Sequence, residues 1–146
     1  MLLQGRKQYQ ENLFPNFQLS DRVPKDNFYR KLKETLDLGF VYKTTARYYG
    51  TEGQESIDPT VFFKLILVGY LENLGSDRRI INTAAMWLDI LYFLGYDIDE
   101  PLPWHSTLSR TPSGILEDAN NFAQELSLNE DKPGFTHYKE GDYYLW

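Results

Sequence analysis

The stretch from residue 58 to 76, DPTVFFKLILVGYLENLGS, constrains this chain more than any other. Asp58 offers a capping carboxylate, and Pro59 suits the first helical position, where no intrahelical N–H bond is needed. From Val61 to Leu74 the apolar residues fall on nearly every face of the helix rather than on one stripe. A helix that is apolar all round has to be enclosed by other elements. Lys64 interrupts the run, which is in any case shorter than the ~20 residues a bilayer span requires. The segment is therefore predicted to be a central, buried helix of a globular fold, with Gly75 as its stop and Ser76 as the cap of the next helix.

The flanking segments can supply the enclosing shell. Phe28, Leu32 and Leu36 recur at four-residue steps and Tyr29 and Leu32 at three, predicting a helix over about 25–36, with Pro24 at its start and Gly39 beyond its end. The polar stretch KTTARYYGTEGQES, 43–56, predicts a loop. A third helix is predicted from about Asp77 to Leu94, with Ile80, Ile81, Ala84, Trp87, Leu88, Leu91 and Leu94 on one broad face and Gly95 closing it. Residues 8–23 show no helical period and predict an extended N-terminal arm. Ser106 is positioned to cap a short helix, TLSR. The fold class expected is all-α: a compact helical domain with short connections. Its core is predicted to include Val61, Phe62, Leu65, Ile66, Leu67, Leu71, Ile80, Leu88, Leu91 and Phe93.

Composition narrows the chemistry. At 42% hydrophobic and 16% aromatic residues, the 146-residue chain has enough apolar material for a core. With no cysteine, disulfides and thiolate metal sites are excluded. The first ten residues lack the apolar run of a signal peptide, so a soluble cytoplasmic protein without a membrane partner is expected. The net charge of −6 is uneven: residues 1–110 carry 13 basic and 14 acidic side chains, and residues 111–146 carry two and seven. The acidity thus belongs to the last quarter, and the remainder is near neutral, compatible with a small basic face.

Catalytic patterns are missing. There is no Gly-rich phosphate loop followed by Lys-Ser/Thr. The two histidines, His105 and His137, lack an i, i+4 partner for zinc. Asp97, Asp99 and Glu100 cluster, but without the glycine turn of a calcium loop they predict a solvated acidic loop. No cofactor is expected. What stands out is SDRR, Ser76 to Arg79, because two arginines in a first helical turn oppose the helix dipole. Arg78 and Arg79 can hold phosphates bidentately; the competing reading pairs one of them with Asp77 or Glu72. HSTLSR, 105–110, adds the hydroxyls of Ser106 and Thr107 and the charge of Arg110, a grouping that in helix-turn-helix proteins approaches DNA.

Taken in order, the words YQ…LFP.F.LSDRVPKDNFYRKL, GQESIDPTVFFKLILVGYL, SDRR and LDILYFLGYDIDEPLPWHSTLSRT resemble the N-terminal domain of bacterial DDE-type insertion-sequence transposases, the InsH-like group, over about residues 4–111. The resemblance implies a helical domain with helix-turn-helix-like elements that recognises the element ends. It implies DNA-facing roles for Arg78, Arg79 and Arg110 and a helix start at Ser106 and Thr107. In that family a separate RNase H-like domain supplies an Asp-Asp-Glu triad on divalent metal.

Two departures stand out. Trp87 occupies a position where the resemblance leads one to expect arginine. After Thr111 the family pattern stops, and PSGILEDANNFAQELSLNEDKPGFTHYKEGDYYLW follows. Pro112 disfavours continuation of the TLSR helix. A new helix is predicted with Thr111 as cap, Ile115, Leu116, Ala119, Phe122, Ala123 and Leu126 on its apolar stripe, and Glu117, Asp118 and Glu125 facing water. It is followed by a turn at DKPG and an aromatic end.

The domain reading is therefore 1–111, transposase-like, and 112–146, an acidic helical tail. The functional expectation is a DNA-binding domain that is catalytically inactive alone because the DDE domain is absent. Self-association or pairing with full-length transposase is a possible partnership. The alternative is a protein-interaction module derived from a transposase, with DNA binding lost.

Overall fold

The structure, a computed structural model, describes residues 18–50 and 57–128. Every regular element among these residues is helical: α1 Leu19–Arg22, α2 Phe28–Thr35, α3 Phe40–Thr45 with a 3-10 turn Ala46–Tyr48, α4 Pro59–Leu71, α5 Asp77–Met86, α6 Leu88–Leu94, α7 His105–Ser109 and α8 Ser113–Leu128. The all-α expectation holds. No helix among the described residues is long and apolar enough to cross a membrane. Residues 1–17, which include 8–17 of the arm, 51–56 of the loop, and the DKPG turn, His137 and the YYLW end lie outside the described residues.

The central helix is α4. Asp58 Oδ1 accepts from Thr60 N at 2.8 Å, Pro59 begins the helix, and eight of its residues are buried, from Phe62 to Leu71. Around it pack α3, α5, α6 and above all α8. The helix stops earlier than Gly75. Asn73 takes the left-handed conformation at φ 56°, and Leu74 N reaches back to Gly69 O at 2.9 Å, so a capping motif usually built on glycine is built here on asparagine. Gly69 has a different use: a Cβ there would lie 2.8 Å from Ile80 Cδ1, so its absence lets α5 approach α4. Ser76 caps α5 as expected, accepting from Arg79 N at 3.2 Å. Gly95 closes α6 at φ 86°, with Tyr96 N bonded to Leu91 O at 3.0 Å.

Four boundaries differ from the sequence expectation. Helix α2 begins at Phe28 rather than 25, because Asn27 caps it by accepting from Arg30 N at 3.1 Å while Pro24 opens a preceding turn. Residues 19–22 of the expected extended arm form the helical turn α1, packed on α6. Residues 43–48 of the expected loop lie in α3 and the 3-10 turn, which bury Val41 and Thr45 one helical turn apart; Gly39 precedes α3 in ordinary right-handed conformation. The predicted helix 77–94 is two helices. It breaks at Trp87, which is extended at φ −114° and ψ 118°.

The cause of the break lies at Asp89. This carboxylate is buried, accepting from Asn27 Nδ2 at 3.0 Å and from Ile90 N at 2.8 Å. Restarting the helix places it in a first turn, where negative charge is favoured, and lets α6 turn onto α2. Burial raises the Asp89 pKa above the ordinary carboxylate value, with the bonds from Asn27 and Ile90 opposing. As a consequence of the break Leu88, predicted to be buried, is 39% exposed, as is Trp87. Val61 is partly buried; the other eight predicted core residues are buried.

Helix α8 shares the core. Ile115, Ala119, Ala123 and Leu126 are buried in the same cluster as the α4 residues, with Phe122 partly buried against it, while Leu116 is turned out at 40% exposure. Pro112 O accepts from Leu116 N at 3.2 Å, so the helix starts one residue after the expected position. Thr111 does not cap it: its hydroxyl donates to Thr107 O at 3.3 Å. Gly114 gives room for the Tyr48 ring, which a Cβ would strike. Glu117 and Glu125 face water, and Asp118 is half-buried beside Arg47, 3.8 Å away.

Candidate nucleic-acid interface

The arginines singled out in the sequence sit where α5 begins and α7 ends. Arg78 and Arg79 occupy the first turn of α5 and are exposed. Neither is in an ion pair among the described residues, and the two nearby carboxylates accept hydrogen bonds from hydroxyls of other helices. Asp77 Oδ2 accepts from Ser109 Oγ at 3.0 Å, and Glu72 Oε2 accepts from Tyr29 Oη at 2.6 Å. Arg78 and Arg79 thus stand exposed beside the Asp77 carboxylate without an ion pair to it among the described residues.

The Asp77–Ser109 bond has a second effect. It fastens the end of α7 to the start of α5, and Leu108, buried, anchors the same turn in the core. Arg110 follows Ser109 directly, is exposed, and donates from Nε to Ser106 O at 3.3 Å. Two basic words 30 residues apart in the chain thus meet at one edge of the fold. As the sequence predicts, the short helix is held to little more than a turn: Arg110 N bonds to Ser106 O, Thr111 N to Leu108 O, and Pro112 follows.

The hydroxyls fare differently. Helix α7 begins at His105, and Trp104 precedes it without a side-chain cap bond, so Ser106 lies inside the helix and is not its cap. Ser106 is exposed, and Thr107 is partly buried. Trp104, directly before α7, is 77% exposed, a residue that the sequence did not single out. Among the described residues, no group of three or more His, Cys, Asp or Glu could hold a metal ion, and Asp97, Asp99 and Glu100 lie on an exposed loop.

No curated protein and no solved structure matches the chain. A family model, described as a transposase domain (DUF772), matches residues 17–113. The match takes in α1 to α7, including both basic words and the bond that joins them. It spans about two thirds of the sequence, and the chain belongs to this transposase domain family.

Proposed function

We propose that this transposase-related chain is a DNA-recognition domain that engages the ends of a mobile element through the α5–α7 edge. What carries the reading is the Asp77–Ser109 bond, which fastens the start of α5 to the end of α7 and so brings three exposed arginines to one edge. Arg78, Arg79 and Arg110 supply phosphate contacts, since guanidinium forks match phosphate oxygens and such contacts dominate affinity. Ser106 adds a short polar side chain beside Arg110, and Thr107 a half-buried one. Trp104 offers a flat apolar face to a sugar or an unstacked base.

In this reading the DDE chemistry belongs to a separate catalytic domain, and the 146 residues act by binding, either as a self-associated unit or with full-length transposase. No cofactor takes part.

The test is selection of duplexes from a random pool by the full chain, followed by fluorescence anisotropy at low salt. Arg78→Ala/Arg79→Ala should weaken binding roughly tenfold or more, as loss of charged hydrogen bonds implies. Failure to enrich any duplex, or equal binding by the double variant, would overturn the assignment and favour a protein-binding module.

A further inference from the structure

Helices α3 and α8, with Phe63 of α4, line a groove of about 490 Å3. Its floor is apolar and aromatic. Phe40 packs on Phe122 with ring centroids 5.9 Å apart, Phe122 on Phe63 at 5.7 Å, and Leu126 completes the floor. Phe40 is 47% exposed although it packs at this site. The rim is acidic: Asp118 and Glu125 both line the groove. They are seven residues apart on α8, two turns along one face, or about 10.5 Å of rise.

The charges are poorly matched from within. Asp118 Oδ2 is buried and accepts no hydrogen bond among the described residues; the one cation paired with it there, Arg47, stands at 3.8 Å, beyond hydrogen-bond range, and donates to Tyr48 Oη. Glu125 forms no ion pair among the described residues.

We propose that this groove is a docking site for a basic amphipathic helix of a partner protein. An apolar side chain of the partner seats on the Phe40–Phe122–Phe63 rings, and Lys or Arg residues two turns apart meet Asp118 and Glu125. Charge complementarity selects this occupant. The chain's own residues 129–146 carry four acidic and two basic side chains, the wrong balance for an acidic rim. Aromatic faces next to carboxylates favour cations doubly, through the ring quadrupole and the ion pair. The site is separate from the arginine edge and does not depend on the DNA reading.

The experiment uses the full chain and a synthetic helical peptide of about 15 residues, long enough to hold helix. The peptide is built of alanine and leucine with lysines at i and i+7; its control replaces the lysines with glutamate. Binding is read by calorimetry and by amide shifts along α3 and α8. The lysine peptide binds and the glutamate peptide does not. Asp118→Asn/Glu125→Gln weakens binding roughly tenfold, in line with two part-exposed ion pairs. Phe40→Ala weakens it about fivefold, as loss of a cation–aromatic and apolar contact implies.

Glu117→Gln is the control, since Glu117 is exposed on the same helix and does not line the groove; it leaves affinity within about twofold. Circular dichroism establishes that each variant is folded. Equal losses in Glu117→Gln and the Asp118/Glu125 pair would mean diffuse attraction to a net acidic protein and overturn the proposal. So would absence of binding. Nuclear Overhauser contacts from the Phe40 or Phe122 ring to residues 129–146 would assign the groove to the chain itself. Self-association abolished by Phe40→Ala would assign it to a second copy.

Discussion

The double substitution Ile115→Ala/Leu126→Ala should bring this protein to the edge of unfolding, although both residues lie beyond the family match. Ile115 is fully buried and Leu126 is 6% exposed, and both belong to the cluster that contains Phe62, Phe63 and Leu67. Truncating a buried Ile or Leu to Ala costs about 2–5 kcal/mol, through lost transfer energy and the cavity left behind. The two sites stand eleven residues apart on α8, about 16 Å of helix rise, far enough for their effects to add. The expected loss is thus roughly 5–8 kcal/mol, against the 5–15 kcal/mol that typically holds a domain of this size. Urea titration followed by far-ultraviolet circular dichroism measures it, with Glu117→Ala as a surface control expected to change stability by less than about 0.5 kcal/mol. A double variant that loses under about 1 kcal/mol would refute the reasoning: α8 would be a docked appendage, and residues 17–113 would hold themselves together.

Two further outcomes follow from close packing and from burial of charge. Gly69→Ala drives a Cβ to 2.8 Å from Ile80 Cδ1 and should cost about 1–3 kcal/mol in urea melts, as overpacking does; Ile80→Val, which removes that methyl, should recover part of the loss, and strict additivity of the two would contradict the contact. Asp89 has its folded pKa raised by burial, so its contribution to stability is fully present below the unfolded value of about 3.9 and is lost as pH rises through the folded value. The stability of Asp89→Asn minus that of the natural chain should therefore increase from about pH 4 towards about pH 7, whatever its offset from the altered bond to Asn27; a difference that shrinks over this range would reverse the sign and contradict the burial argument.

The parts of the fold visible in the sequence are those written locally. Asp58-Pro59 and the apolar run that follows announce α4, and Gly95 marks its turn because few other residues adopt φ 86° without strain. The break at Trp87 was hidden because periodicity registers apolar positions along one helix axis. The demand that ends the helix, a bond from Asn27 to Asp89, spans 62 residues. Helix α3 was hidden for a related reason: its inward face holds Val41 and a threonine, so the apolar signal is one residue deep. At the arginine edge the sequence showed the charges but not the contact that brings their two helices together. Asp77 was readable as a partner for Arg78 or Arg79, whereas it is taken by Ser109 from another helix. The aromatic groove had no local signal at all, since Phe40 and Phe122 meet only in the folded chain.

The salt dependence of DNA binding tests the central claim most directly. Each phosphate neutralised on B-DNA contributes a slope of roughly −0.9 in log affinity against log salt. If Arg78, Arg79 and Arg110 each meet one phosphate, replacing all three with alanine should flatten the slope by about 2.7, with the fold unchanged by circular dichroism. A triple variant that keeps the slope of the natural chain would place the DNA contacts elsewhere and contradict the account.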